Sequence, residues 1–171
     1  MISESTSPTT TVTSTNYRTL MSEFPSGVAV ITAMDDQGQP WGMTCSALCS
    51  LCADPPTLLC CLRATSVTLE RILQAGYFAV NLLHSRATDT AALFGSGSST
   101  PERFDNTAWE DGFAGPHITE HAHAIADCRL SRTVEGGTHT ILFGEVFNIA
   151  TRDGFTPLLY GRRRYSSWPE H

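Results

Sequence analysis

Short runs of β-branched and apolar residues, separated by turn residues, set the strongest limit on how this chain can fold. Residues 27–35 form one run, and the turn sequence DDQGQ leads from it into residues 39–47, as in a β-hairpin. Residues 47–53 and 57–63 flank the turn residues DPP, and residues 77–83 form a further strand. Strands at this spacing favour antiparallel pairing between neighbours along the chain.

The C-terminal third repeats the pattern with longer strands. Residues 122–134 and 138–150 are joined through a Gly-Gly pair, which is a hairpin signal, and residues 157–165 form the last strand. Six or more strands at hairpin spacing predict a mainly β fold, a barrel or a sandwich, rather than a parallel α/β sheet.

One helix between the strands is predicted from its apolar face. Residues 66–75 place Leu69, Ile72 and Leu73 on the same side, and Gly76 follows where helices commonly end. This helix should cover part of the sheet.

Two other short helices and one long loop complete the predicted elements. A helix is expected over residues 17–24 with Asn16 as its cap, and another from Ser85, as its cap, to Phe94. Residues 95–117 are rich in Gly, Ser, Thr and Pro and are expected to form a loop that is either functional or disordered.

Composition limits the domain count and the classes of function. The 171 residues suit one domain over residues 16–171, preceded by a disordered Ser/Thr-rich tail over residues 1–15. The net charge of -6 argues against a nucleic-acid partner. All 11 basic residues are arginine, which excludes a lysine Schiff base and a Walker-type lysine.

The location expected from the sequence is the cytoplasm, with no membrane partner. No apolar stretch approaches the roughly 20 residues of a spanning helix. The N-terminus has neither the basic nor the apolar region of a signal peptide. The six cysteines are therefore interpreted as thiols rather than as a disulfide framework.

Cysteine and histidine spacing predicts no metal site. Cys49 and Cys52 have CxxC spacing, but a strand points residues three apart to opposite faces. His117, His121 and His123 form an HxxxHxH string in a segment whose pattern is that of a loop followed by a strand. The cysteines are best explained as small apolar strand residues.

Two places in the sequence offer groups that bind anions. The strand ending at Arg63 leads into a helix whose start holds Thr65, Ser66 and Thr68, and hydroxyls beside free N–H groups bind phosphate. An ordinary N-cap has the same residues, so both interpretations stand. The arginine run at 162–164 either guards a strand edge or binds the phosphates of a dinucleotide.

Six segments, in this order, resemble the short-chain flavin reductases, the small components of two-component flavin-dependent monooxygenases. They are FPSGVAVIT (24–32), GMTCSALCSLCADPP (42–56), SVTLERI (66–72), FAVNLL (78–83), GTHTILFGEV (137–146) and PLLYGRRRY (157–165). The resemblance extends over about residues 17–168.

The resemblance implies a split β-barrel of the Greek-key, FMN-binding type with short helices, assembled as a homodimer. It implies reduction of FMN or FAD with NADH or NADPH as the hydride donor, and delivery of the reduced flavin to a partner monooxygenase. Hydride transfer between two such cofactors needs no protein nucleophile and no metal. A chain without a catalytic triad, a metal motif or a lysine is compatible with that task.

The resemblance also implies which residues form the site. The expected cofactor-binding residues are Met43, Thr44, Cys45, Ser46, Ala47, Ser50, Leu51, Cys52, Ala53, Arg63, Ser66, Thr68 and Phe94. His139 matches the histidine of the family's Gly-Asp-His element and is the expected catalytic residue, orienting the nicotinamide or stabilising the reduced flavin. Arg164 and Tyr165 are expected on the same nicotinamide side.

Two alternatives remain open on the sequence. A split-barrel oxidase of the pyridoxamine-phosphate-oxidase type would need a more basic phosphate pocket than one arginine and several hydroxyls supply. A non-catalytic flavin- or haem-binding module would bind its ligand without oxidising NADH. The chain also departs from the family pattern at Thr138, where Asp is frequent, and at Arg163, where Gly is frequent.

Overall fold

A computed structural model describes residues 11–97 and 100–169. Within these ranges the helices are α1 (Ser14–Ser22), α2 (Val67–Ala75), α3 (Thr88–Gly95) and α4 (Thr100–Asp105). The strands are β1 (Ser26–Gly27), β2 (Ala29–Met34), β3 (Pro40–Cys45), β4 (Leu48–Ala53), β5 (Pro56–Arg63), β6 (Tyr77–Leu83), β7 (Ala122–Gly136), β8 (His139–Thr151), β9 (Leu158–Gly161) and β10 (Arg164–Ser167). The predicted mainly β fold is confirmed.

The strands form one large and one small antiparallel sheet. The large sheet has the order β3-β2-β6-β7-β8-β5-β4, and the small sheet has the order β1-β9-β10. The large sheet curls on itself, because its two edge strands, β3 and β4, are joined by residues 46 and 47 alone. A curled sheet with a smaller sheet beside it is the architecture expected of a split barrel.

Strand β2 is buried on both faces, so the core has two parts. Ala29 and Ile31 point into one cluster, which α2 covers with Leu69 and Ile72. Val30 points into the other cluster, which lies against α3 and α4. This alternation follows from the two-residue period of a strand.

The predicted helices are present, but the residues that start or cap them differ from those predicted. Thr13, rather than Asn16, caps α1, because its hydroxyl oxygen accepts the Asn16 N–H at 3.2 Å. Helix α3 begins at Thr88 and has no side-chain cap, so Ser85 does not start it. Leu73 lies at the edge of the buried stripe of α2 and is 50% exposed.

Two predicted segments contain more structure than the sequence suggested. The loop over residues 95–117 includes α4, and Phe104 of this helix packs edge-on against Phe94 at a ring separation of 5.1 Å. Residues 98–99 of that loop, and residues 1–10 of the expected tail, lie outside the described residues. The single last strand over 157–165 is a hairpin, β9 and β10.

The turn of this last hairpin contains two consecutive residues with positive φ. Arg162 has φ 49° and Arg163 has φ 61°, which is the geometry of a type I′ turn. Such turns usually contain Asn-Gly, so two arginines at these positions give no sequence signal for the turn. Arg162 and Arg163 therefore lie in a turn, and Arg164 begins β10.

Two buried polar side chains fasten the segment before β7 to the large sheet. The Asn81 side-chain carbonyl accepts the Ile118 N–H at 2.8 Å. The Asp127 carboxylate accepts the Ala114 N–H at 3.0 Å and a hydrogen bond from His117 Nε2 at 2.8 Å. His117 is thus engaged in fixing the fold. None of the helices in the described parts of the chain is long and apolar enough to cross a membrane.

The tight packing around Gly144 gives a first prediction. A Cβ at this position would lie 2.5 Å from Phe78 Cζ and 3.0 Å from Cys128 Cβ, both in the core. We expect Gly144→Ala to destabilise the protein by about 1–3 kcal/mol, the usual cost of overpacking. Urea unfolding followed by circular dichroism measures it. Gly27→Ala is the control, since no heavy atom lies within 4 Å there, and equal stability of the two variants would contradict the prediction.

Candidate functional site

A first cavity of about 430 Å³ lies where β3, the start of α2 and the end of α3 meet. Six of the predicted cofactor-binding residues line it: Met43, Thr44, Arg63, Ser66, Thr68 and Phe94. They come from distant parts of the chain, and the fold brings them together as the sequence interpretation requires.

The α2 end of this cavity is suited to an anion. Ser66 caps α2 by accepting the Leu69 N–H, and its hydroxyl donates to the thioether of Met43 at 3.1 Å. A thioether is a weak acceptor, so an anion competes for that hydroxyl easily. Thr68 and Arg63 line the same wall, and no described carboxylate pairs with Arg63. Hydroxyls, a guanidinium and the free N–H groups of a helix start match the chemistry of a phosphate.

Arg103 of α4 also lines this cavity and was missed from the sequence. Its guanidinium donates to the Gly42 carbonyl at 2.9 Å and to the Ser96 carbonyl at 2.7 Å. Its Nε is buried without a hydrogen-bond partner, and burial lowers the pKa of the group. The residue types of the α4 start, Thr-Pro-Glu, were an available signal, because Pro and an acidic residue favour the first turn of a helix.

A second, larger cavity of about 780 Å³ lies between α1, the β4–β5 hairpin and the β9–β10 turn. Its walls include Ser46 and Ala47 of the predicted set, together with apolar residues of α1 and β5. Thr44 in the first cavity and Ser46 in the second are two residues apart on the same stretch of chain. The structure therefore places the predicted ring-binding segment in contact with both spaces.

One face of β5 joins the two cavities. Leu59 and Cys61 line the second, and Arg63 lines the first. Alternate residues of a strand point to the same side, so these side chains form one continuous wall. We call the two cavities together the groove.

His139 lies beside this wall. It pairs with Arg63 across β5 and β8, so the two side chains project from the same face of the sheet. The His139 ring is exposed, and its Nδ1 is 3.0 Å from the hydroxyl of Thr138. A ring held by one nitrogen leaves the other free to approach a ligand in the groove.

The sulfur of Cys45 does not face the groove. Its side chain is 4% exposed, and burial raises the pKa of the thiol to about 11. Burial likewise raises the pKa of Cys128 to about 12. Both groups are neutral thiols near pH 7, so neither is an activated nucleophile. Cys45 can serve a ligand through its backbone alone.

The predicted residues on β4 line neither cavity. Ser50, Leu51, Cys52 and Ala53 are exposed on a strand that ends the large sheet. Strand β4 pairs with β5 along one side, with a register shift between Ser50 and Cys52. Their role in binding stays a prediction.

Arg164 and Tyr165 were predicted to share one side of the site, and the structure separates their side chains. Adjacent residues of a strand point to opposite faces. Tyr165 packs against Tyr160 at a ring separation of 5.3 Å, and burial raises the pKa of its phenol. Arg164 lines another groove, with Ser22 and Glu23. Arg163, from the preceding turn, lines the second cavity instead.

Among residues 11–97 and 100–169, no group of three or more His, Cys, Asp or Glu side chains could hold a metal ion. The groove offers hydroxyls and a guanidinium group to an anion at its α2 end and mainly apolar side chains in the second cavity.

The chain is similar to known proteins along most of its length. Residues 21–169 match the model of the flavin reductase like domain. A flavin reductase (NADPH) of Lentzea aerocolonigenes is 45% identical over 92% of this chain and 91% of its own length. The reductase subunit HsaB of a flavin-dependent monooxygenase from Rhodococcus jostii is 34% identical over 88% of this chain and 75% of its own length.

The fold is also similar to that of a solved structure. The NADH:FAD oxidoreductase SgcE6 of Streptomyces globisporus, in complex with NAD and FAD fragments, superposes with a TM-score of 0.84. The match covers 91% of this chain and 92% of that one, at 29% sequence identity.

Proposed function

The chain belongs to the flavin reductase family, and from that premise we propose that it is an NAD(P)H:flavin oxidoreductase whose flavin and nicotinamide meet in the groove. It reduces FMN or FAD and supplies reduced flavin to a partner monooxygenase. The observation that carries the proposal is one wall, formed by β5, that runs from an anion-binding end at α2 to a mainly apolar space beyond Ser46 and Ala47.

The bound flavin and nicotinamide supply the hydride chemistry, while the protein binds, orients and shields them. Ser66, Thr68 and Arg63 hold the flavin phosphate. The hydroxyl of Thr44 donates to the Ala91 carbonyl at 2.7 Å, so while that bond is kept this hydroxyl can only accept from a ligand. Donors to the polar edge of the flavin come instead from the Ser46 hydroxyl and from backbone N–H groups of the segment after β3. The apolar side chains of the second cavity cover one side of the two rings, and the other side faces the open mouth of the groove.

The phosphate placement is tested by removing its hydroxyls. We expect Ser66→Ala and Thr68→Ala each to weaken flavin binding by about 1 kcal/mol, about fivefold in Kd, the usual value of one hydrogen bond. Fluorescence quenching of the flavin measures Kd. Thr65→Ala is the control, because Thr65 precedes the cap and does not line the cavity. An unchanged Kd in the double variant would remove the phosphate from this end.

Delivery of reduced flavin to another enzyme requires exchange of the ligand. The groove is open to solvent along the second cavity, and its phosphate end has hydroxyls and one unpaired arginine rather than several bidentate forks. We therefore expect purified protein to carry little flavin and NADH or NADPH oxidation to saturate with added FMN or FAD. Stoichiometric flavin that resists dialysis would favour the split-barrel oxidase, and bound flavin without NAD(P)H oxidation would favour a binding module.

A homodimer is part of the proposal. The sequence of β4, LCSLCA, is largely apolar, yet five of its six residues are exposed and one of its edges has no described strand beside it. An apolar edge strand of this kind needs a cover. A second copy over β4 would bring Ser50, Leu51, Cys52 and Ala53 into a buried site. Light scattering should show a dimer that Leu51→Glu converts to a monomer, and a monomeric native protein would contradict this.

We also propose a cytoplasmic setting for the reaction. All six cysteines are free thiols, including the exposed Cys49 and Cys52. Exposed thiols persist where the surroundings are reducing. Fractionation of cells that express the tagged protein tests this location.

A further inference from the structure

The second cavity carries two arginines that no other group neutralises. Arg18 of α1 and Arg163 of the β9–β10 turn both line it. Among the described residues, neither guanidinium has a hydrogen-bond or ion-pair partner, and no described Asp or Glu lines the cavity. In a chain with a net charge of -6, two free cations in one cavity create a local preference for an anion.

The backbone at Arg163 strengthens this interpretation. A residue with a side chain at φ 61° is strained, and a glycine would adopt the turn without that strain. Its neighbour Arg162 has a structural task, since it pairs with Glu23 at 2.9 Å and its N–H donates to the Ser22 carbonyl. Arg163 has no such task in the described protein. Strained residues of this kind concentrate at functional sites.

The cavity also has aromatic walls next to the arginines. Tyr17 of α1 and Tyr160 of β9 line it together with Arg18 and Arg163. Tyrosine faces stack on purine rings. A ligand with a purine and a nearby phosphate therefore finds a partner for each part.

We propose that this end of the groove binds the adenosine 2′-phosphate of NADPH, with Arg18 and Arg163 on the phosphate and Tyr17 and Tyr160 against the adenine. The pair of arginines then makes NADPH the preferred hydride donor over NADH, which lacks that phosphate. This assignment rests on the proposed function, because it concerns the donor of the same reaction.

The test compares kcat/KM for the two donors at saturating flavin. The native protein should favour NADPH, and Arg18→Gln with Arg163→Gln should lower kcat/KM for NADPH by about 10- to 100-fold, as expected for lost charge-assisted hydrogen bonds. The value for NADH should fall by less than about fivefold, since its 2′-hydroxyl accepts only a neutral-group hydrogen bond of about 1 kcal/mol. Arg86→Gln is the control, with the same charge change at a residue that lines neither cavity.

A second variant and a binding probe keep the result independent of folding defects. Arg163→Gly removes the guanidinium and relieves the turn, so it should fold at least as well and still lose part of the NADPH preference. Adenosine 2′,5′-bisphosphate should inhibit the native protein competitively against NADPH, and adenosine 5′-monophosphate should inhibit it far less.

Failure of the inference differs from failure of the proposed function. A native protein that prefers NADH, or variants that lose activity equally with both donors, would overturn the 2′-phosphate site. Absence of flavin reduction with both donors would overturn the proposed function itself.

Discussion

Replacing Asp127 with alanine is expected to destabilise the protein by about 2–6 kcal/mol, because it leaves the Ala114 N–H and the His117 ring without their acceptor, at about 1–3 kcal/mol for each donor. Asp127 is 1% exposed, and its carboxylate accepts hydrogen bonds from Ala114 N–H, from His117 Nε2 and from the side-chain amide of Asn148 at 2.8 Å. Alanine leaves the Ala114 N–H and the His117 ring where water does not easily reach, whereas Asn148 is exposed and its amide can turn to water. Urea unfolding followed by circular dichroism measures the loss.

Two graded variants separate the carboxylate from its neighbours. Asn148→Ala removes a single donor and should cost about 1 kcal/mol. Asp127→Asn keeps the shape but offers one acceptor oxygen instead of two, so its stability should lie between those of Asn148→Ala and Asp127→Ala. If Asp127→Ala costs no more than Asn148→Ala, the segment before β7 is held by other contacts, such as those of Asn81.

Most strands could be predicted because each carries its own signal. The hairpin of β2 and β3 follows from β-branched residues around a polar turn, and β7 and β8 follow from long alternating runs around two glycines. The turn of β9 and β10 could not be predicted, since Arg162 and Arg163 replace the glycine-type residues that announce positive φ. The start of α1 shifted because Thr13 and Asn16 are both good caps, and sequence alone does not choose between them.

Part of the candidate site could be predicted, because some of its residues are close together in the chain. Arg63, Ser66 and Thr68 lie within six residues at a strand-to-helix junction, so local chemistry marks them as an anion site. Arg18 and Arg163 are far apart in the chain and meet only because α1 packs beside the last hairpin. No local sequence pattern predicts that these two arginines line one cavity, because their proximity depends on tertiary structure.

His139→Ala is expected to slow flavin reduction by about 10- to 150-fold, the value of one hydrogen bond to a charged or developing charged group. His139 lies across from Arg63 on the face that borders the groove, but it lines neither cavity. Its loss should therefore leave the walls that hold the oxidised flavin intact. Stopped-flow absorbance of flavin bleaching gives the reduction rate, and flavin fluorescence gives the Kd.

The pattern of changes distinguishes an orienting role from a structural one. Thr138→Val removes only the hydroxyl beside His139 Nδ1, so it should slow reduction less, while the ring remains. His139→Gln can still donate one hydrogen bond and should recover part of the rate if the histidine acts as a donor rather than as an obligatory base. A weaker affinity for oxidised flavin together with an unchanged reduction rate would instead assign His139 to flavin binding. An amide side chain does not transfer protons near pH 7, so a glutamine variant cannot replace a base. His139 therefore acts as a base if the glutamine variant is as slow as the alanine variant and the native reduction rate changes with pH along a single titration curve.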